Sequence, residues 1–147
     1  MSTSSLSSET LHASCVARDG RAILIYGRSG AGKSDLALRL IDRGAILVSD
    51  DYTLVKRAGG QLLASAPATI AGRLEVRNVG IIDCDHQDDV PIRLYVDLDR
   101  QPERHPEPDD SMVVAGVKLP VLALNGQDVS AAIKIELALK RFGGDEP

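Results

Sequence analysis

The chain has 147 residues, 44% of them apolar and 26% charged, with a net charge of −4, two cysteines, one phenylalanine and no tryptophan. These values fit one soluble globular domain with a real core. They exclude a basic field for nucleic acid, a set of base-stacking aromatics and a disulfide framework, and no apolar run approaches membrane-spanning length. Residues 1–10 are rich in Ser and Thr, with neither a basic start nor an apolar core, and are expected to form a loose tail rather than a signal peptide. Leu11–Arg18 alternates imperfectly and runs into Asp19-Gly20, a hairpin signal, so strands are expected over 11–18 and 21–26. Cys15 and Cys84 lie in apolar surroundings and read as reduced thiols of a cytoplasmic protein.

Gly27-Arg28-Ser29-Gly30-Ala31-Gly32-Lys33-Ser34 follows the apolar run Ala22–Tyr26 and precedes a helical pattern, Asp35–Arg43. The octapeptide fits G-x-x-x-x-G-K-[ST]. Its glycines let the backbone curl so that N–H groups face phosphate oxygens, and the helix N-terminus adds partial positive charge there. Lys33 would neutralise the outer phosphates and Ser34 would ligate Mg²⁺. A strand that enters such a loop from a hairpin is unusual, because most phosphate-loop proteins arrive from a parallel βαβ layout.

Leu36, Ala37, Leu40 and Ile41 form the apolar stripe of the helix, Asp35 and Arg39 are an i,i+4 pair, and Arg43-Gly44 is its stop. Ala45–Asp51 is a short apolar strand ending in two carboxylates, where nucleotide hydrolases place a magnesium-side Asp. If it stays extended, Asp50 and Asp51 point to opposite faces. Residues 52–57 and 61–64 read as a hairpin around Ala58-Gly59-Gly60, and 67–71 as a helical turn or loop. Leu74-Glu75-Val76-Arg77-Asn78-Val79-Gly80-Ile81-Ile82-Asp83 reads as an extended, half-exposed strand that carries Glu75 and Arg77 on one face. Asp83–Asp89 contains a Cys, a His and four Asp but has no second ligand cluster at recognised spacing, so it reads as a solvated loop. Residues 91–98 read as a strand, 99–111 as a Pro-rich charged loop, and 112–124 as two short strands around a Gly. Asn125-Gly126-Gln127 is a turn. Asp128 is the expected N-cap of a last helix over 129–142, which Gly143-Gly144 stops ahead of a disordered tail.

In this order, Leu11-His12 before a hairpin, the loop 27–34, Arg43-Gly44 with Val48-Ser49-Asp50-Asp51, and the run 74–83 resemble the catalytic domain of bacterial HPr kinase/phosphorylase. The resemblance covers roughly residues 11 to 142, and the family's usual N-terminal domain is expected to be missing. It implies an α/β phosphate-loop domain of the phosphoenolpyruvate carboxykinase-like type, a mixed sheet with hairpins and a C-terminal helix. It also implies a cytoplasmic protein serine kinase that uses ATP and Mg²⁺ to phosphorylate an HPr-like phosphocarrier of the phosphotransferase system, with no nucleic-acid or membrane partner and with a homo-oligomer among the assemblies it allows. By motif, Lys33 is the catalytic lysine, Ser34 and Glu75 are Mg²⁺ ligands, and the Asp50/Asp51 pair holds the base for the substrate serine, with Asp51 preferred. His12 matches the active-site histidine and Arg104 a later catalytic arginine, although the Pro-rich loop around Arg104 departs from the family pattern.

Typical members carry Pro-x-x-Pro-Gly-Arg-Asn where this chain has Leu122-Ala123-Leu124-Asn125-Gly126-Gln127-Asp128. The arginine is replaced by Gln127, and a neutral amide cannot clamp an attacking phosphate as a guanidinium does, so phosphorolysis is not expected to match kinase activity. The alternative reading is a nucleotide-sensing interaction module with little turnover. A small-molecule kinase is a third, but the chain shows no lid with clustered arginines.

Overall fold

The computed structural model of the chain describes residues 8–107 and 109–144. The strands are β1 (Ser8–Leu11), β2 (Ala13–Arg18) and β3 (Arg21–Tyr26), followed by helix α1 (Lys33–Asp42), β4 (Ile46–Ser49), β5 (Thr53–Ala58) and β6 (Gln61–Ser65). Then come β7 (Arg73–Val76), β8 (Gly80–Asp83), β9 (Val90–Asp97), β10 (Ser111–Val114), β11 (Val117–Ala123) and helix α2 (Ala131–Phe142). The fold is mixed α/β, mostly strands with two helices. Neither helix is long and apolar enough to cross a membrane.

Nine strands join in one sheet in the order β1-β5-β6-β9-β3-β2-β4, with β11 beside β9 and β10 beside β11. β9 is the branch. One edge runs parallel to β3, while the other pairs antiparallel with β6 at Val90 and Pro91 and parallel with β11 from Tyr95 to Asp97. β2, β3 and β9 are buried on both faces, which is why their sequences are nearly continuous apolar runs. Ile23, Ile25, Leu94 and Val96 face α1 and α2, and Ala22, Leu24, Ile92 and Tyr95 face the second core shared with β5, β6, β10 and β11.

Local chemistry sets the turns. Asp19 and Gly20 have φ of 53° and 75°, and Gly59 and Gly60 have 57° and 80°, as two-residue hairpin turns require. Helix α1 ends as its sequence says: Gly44, at φ 110°, and Ala45 return their N–H groups to Ile41 and Leu40.

Several elements differ from the sequence reading. Within the expected tail, Ser8–Thr10 belong to β1, paired with Leu54–Lys56; residues 1–7 and 145–147, and Pro108 of the Pro-rich loop, lie outside the described residues. The strand expected over 11–18 breaks at His12, between β1 and β2. The run 74–83 is not one strand but a hairpin of its own, β7 against β8, because Asn78 turns left-handed at φ 73°. Leu74 is fully buried against the helices, whereas Glu75 and Arg77 are exposed. The last helix starts at Ala131, with Ser130 rather than Asp128 at its cap and no side-chain capping bond.

Candidate active site at the end of β3

β3 delivers Gly27 into a crowded corner. A Cβ there would stand 3.0 Å from the Ala31 Cβ and 3.1 Å from the Leu98 Cβ, tighter than ordinary van der Waals contact, so any larger residue would have to push these neighbours aside. Gly30 and Gly32 have φ of 85° and 95°, and the curl closes with the Ala31 N–H on the Arg28 carbonyl at 3.0 Å. Asp99 holds the loop from outside, accepting the Arg28 N–H on both carboxylate oxygens at 3.1 and 3.0 Å. Asp97 shapes the segment that brings Asp99 there by accepting the Asp99 and Arg100 N–H groups at 2.9 and 3.1 Å. Lys33 opens α1 and is only 6% exposed; its ammonium donates to the Gly27 carbonyl at 2.7 Å and the Arg28 carbonyl at 3.3 Å. The loop therefore gathers a buried cation and a helix N-terminus in one place, an arrangement suited to phosphate.

The acidic pair stands beside it. Asp50 is 8% exposed and accepts from Ser34 Oγ at 2.6 Å, Ser14 Oγ at 3.1 Å and the Glu75 N–H at 3.0 Å. β4 ends at Ser49, and Asp51 adopts φ 66°, so the pair is not split by strand alternation as the sequence suggested. Instead the Asp51 N–H donates to Ser14 Oγ at 3.0 Å, and Asp51 Oδ1 lies 2.9 Å from His12 Nε2. The His12 ring stacks on Tyr52 at 5.0 Å between centroids. The break at His12 is what frees its side chain from the strand to reach Asp51.

Ser34, Asp50, Asp51 and His12 are thus linked by hydrogen bonds, and Lys33 precedes Ser34 at the start of α1 with its ammonium on the loop carbonyls. Glu75 joins through its main chain, and its carboxylate is exposed. Arg104 sits exposed in the β9–β10 loop and takes part in none of these hydrogen bonds among the described residues. Sequence reasoning missed Ser14, the hydroxyl that links the two aspartates, and Asp97 and Asp99, which brace the loop. The available signal for Ser14 was a polar residue inside a strand buried on both faces, which needs a partner. Gln127 also belongs here: a Cβ on Gly32 would meet its amide nitrogen at 3.2 Å. Arg39 of α1 fixes that turn by donating to the Asp128 carbonyl at 3.1 Å and to the Gly126 carbonyl.

The donor set fits Mg²⁺. Ser34 Oγ and Asp50 Oδ1 are hard oxygens 2.6 Å apart beside the loop. No group of three or more metal-binding side chains occurs among the described residues. Mg²⁺ needs no such cage, since it is held by one or two protein oxygens plus substrate phosphates and water.

A glycine loop between a hairpin strand and a helix thus stands beside a buried lysine and a serine-linked acid pair. The chain belongs to the HPr serine kinase C-terminal domain family, whose model matches residues 4–136. It is 51% identical over 73 residues to the HPr kinase/phosphorylase of Clostridium beijerinckii and 42% identical over 73 residues to that of Mycoplasmopsis pulmonis, in each case 50% of this chain and 24% of the relative. The matched stretch is thus about a quarter of the length of these curated relatives. The structure titled Hpr(Ser) kinase/phosphatase from Coxiella burnetii superposes with a TM-score of 0.76 at 28% identity, covering 90% of this chain and 94% of that one.

Proposed function

We propose that this chain is an ATP- and Mg²⁺-dependent protein serine kinase whose acceptor is an HPr-like phosphocarrier, built on a phosphate-loop fold of the phosphoenolpyruvate carboxykinase-like type. The hairpin entry to the loop and the acid pair that directly follows the next strand support that fold type. The observation that carries the function is the chain of contacts Ser34–Asp50–Ser14–Asp51–His12 at the mouth of the loop.

The loop N–H groups and Lys33 hold the triphosphate and offset the charge that develops on the transferring group. Ser34 and Asp50 would hold Mg²⁺, with Glu75 nearby through its N–H; when bound, the ion supplies neutralisation of the phosphate oxygens. Asp51 accepts the proton of the acceptor serine as the seryl oxygen bonds to the γ-phosphorus and the bond from that phosphorus to the β,γ-bridging oxygen breaks, releasing ADP and phosphoserine. His12 orients the Asp51 carboxylate, and Ser14 fixes its main chain. Arg104, exposed in the β9–β10 loop, would approach the acceptor once it is bound.

Incubation with Mg²⁺-ATP and the HPr-like protein of the same genome tests this: phosphoserine on the carrier is expected, and ATP binding without it would overturn the reading. Gln127 beside Gly32, where a guanidinium is typical, favours a second reading, a nucleotide sensor with little turnover. Converting Asp50 and Asp51 together to Asn separates the two. A kinase loses turnover and keeps nucleotide, whereas a sensor keeps its nucleotide-dependent response to its partner.

A further inference from the structure

We propose that the cleft beside His12 receives an apolar side chain of the protein acceptor, next to the hydroxyl that takes the phosphoryl group; the proposal rests on the kinase reading above. The cleft measures about 210 Å³ and is walled chiefly by Leu11, His12, Tyr26, Tyr95, Met112 and Val113. Tyr26 and Tyr95 stack as its floor, 5.8 Å between centroids. Burial pushes the Tyr95 phenol up from its ordinary value, consistent with a dry floor, and nearby Asp97 adds to the shift.

Position ties the cleft to the chemistry. The loop 27–34 runs into α1, which packs on the face of β3 bearing Ile23 and Ile25, whereas Leu24 and Tyr95 belong to the opposite core. Tyr26, two residues beyond Leu24, shares that opposite face. The cleft therefore opens across the sheet from α1, and His12, with Asp51 at 2.9 Å, stands at the seam. A nucleotide held by the loop and an acceptor seated in the cleft would meet beside Asp51, leaving the seryl oxygen free to reach the γ-phosphorus opposite the leaving bridging oxygen.

Size and surroundings select the occupant. Pockets for small ligands and cofactors run about 300–1,000 Å³, so this one suits a single side chain. The apolar lining continues outward on Val113, 65% exposed, and Tyr52, 48% exposed, more surface than a small acceptor would cover. Among the described residues, β1 pairs only with β5 and β10 only with β11, so two walls are edge strands with main-chain groups to offer an incoming segment. Glu9 at the cleft favours a Lys or Arg in the same segment.

Steady-state phosphorylation of the HPr-like carrier by wild type, Val113→Glu and Met112→Ala tests the inference, with ATP affinity measured in parallel. Val113 is exposed, so its variant keeps the fold. The expected result is an acceptor KM raised about tenfold or more with ATP affinity unchanged. Replacing by Ala, one at a time, the apolar residues of the carrier near its phosphorylated serine should identify one whose loss raises KM in wild type but adds little in Val113→Glu. Unchanged acceptor KM in both variants, with wild type active, overturns this inference and leaves the kinase reading standing. Weakened ATP binding with acceptor KM intact also overturns it, because the cleft then holds the nucleoside. No phosphoserine from wild type overturns both.

Discussion

Asp50 takes three hydrogen bonds in a nearly closed pocket, and Asp51, one residue on, is half exposed with His12 as its partner. Their substitutions should therefore behave differently. Asp50→Ala leaves the hydroxyls of Ser14 and Ser34 and the Glu75 N–H without their acceptor, at about 1–3 kcal/mol for each donor that stays buried and unpaired, measurable as a lower urea midpoint. Asp51→Asn keeps the shape and loses a half-exposed contact worth at most about 1 kcal/mol. If Asp51 is the base, its Asn variant should fold normally and lose about 10²–10⁴-fold in phosphoryl transfer. Equal stability losses in the two variants would contradict the division. The sequence carried the presence of the pair, because two carboxylates close the strand after the glycine loop. It did not carry their separation, which comes from the left-handed turn at Asp51 and from Ser14, residues brought together by antiparallel pairing of β2 with β4.

At the level of elements, the helices, the glycine loop and the two-residue turns were legible because their signals are local: a 3.6-residue stripe, paired glycines, a capping glycine. The β7–β8 hairpin was not, because its apolar residues continue the strand pattern through the bend and the reversal is marked just by Asn78 and Gly80, both at positive φ. That predicts a sensitive position. Asn78→Val forces a β-branched residue to φ 73° and should cost about 1–2 kcal/mol, whereas Asn78→Gly should be nearly neutral. Amide exchange of residues 73–83 reads the effect, and faster exchange in the Gly variant than in the Val variant would contradict it. The site depends on this hairpin, since the Glu75 N–H that it presents is one of the three donors to Asp50.

For the molecule as a whole, the double-faced core predicts a loss of stability in alkali. Burial holds the Cys15 thiol, and together with the nearby Asp97 the Tyr95 phenol, well above their ordinary values. In the unfolded chain the thiol ionises near its ordinary value of about 8.5 and the phenol near about 10. Folded-state values lie higher, so the folded protein binds more protons in between, and stability falls as pH rises. Denaturant stability should be flat with respect to these two groups below about pH 8 and decline above about pH 9, by up to about 1.4 kcal/mol per pH unit for each group. Cys15→Ala should remove the earlier part of the decline. A decline of the same onset and slope in that variant would show that the thiol is not its source.

The branch at β9 has its own consequence for how this chain tolerates change. Because β9 is shared by β3, β6 and β11, adding or deleting one residue there would misalign three partners at once and invert which side chains face each of the two cores. Length variation should be absorbed instead at the hairpin tip Gly59-Gly60, where a Cβ would meet nothing within 4 Å, making that tip the natural place to graft a tag or reporter.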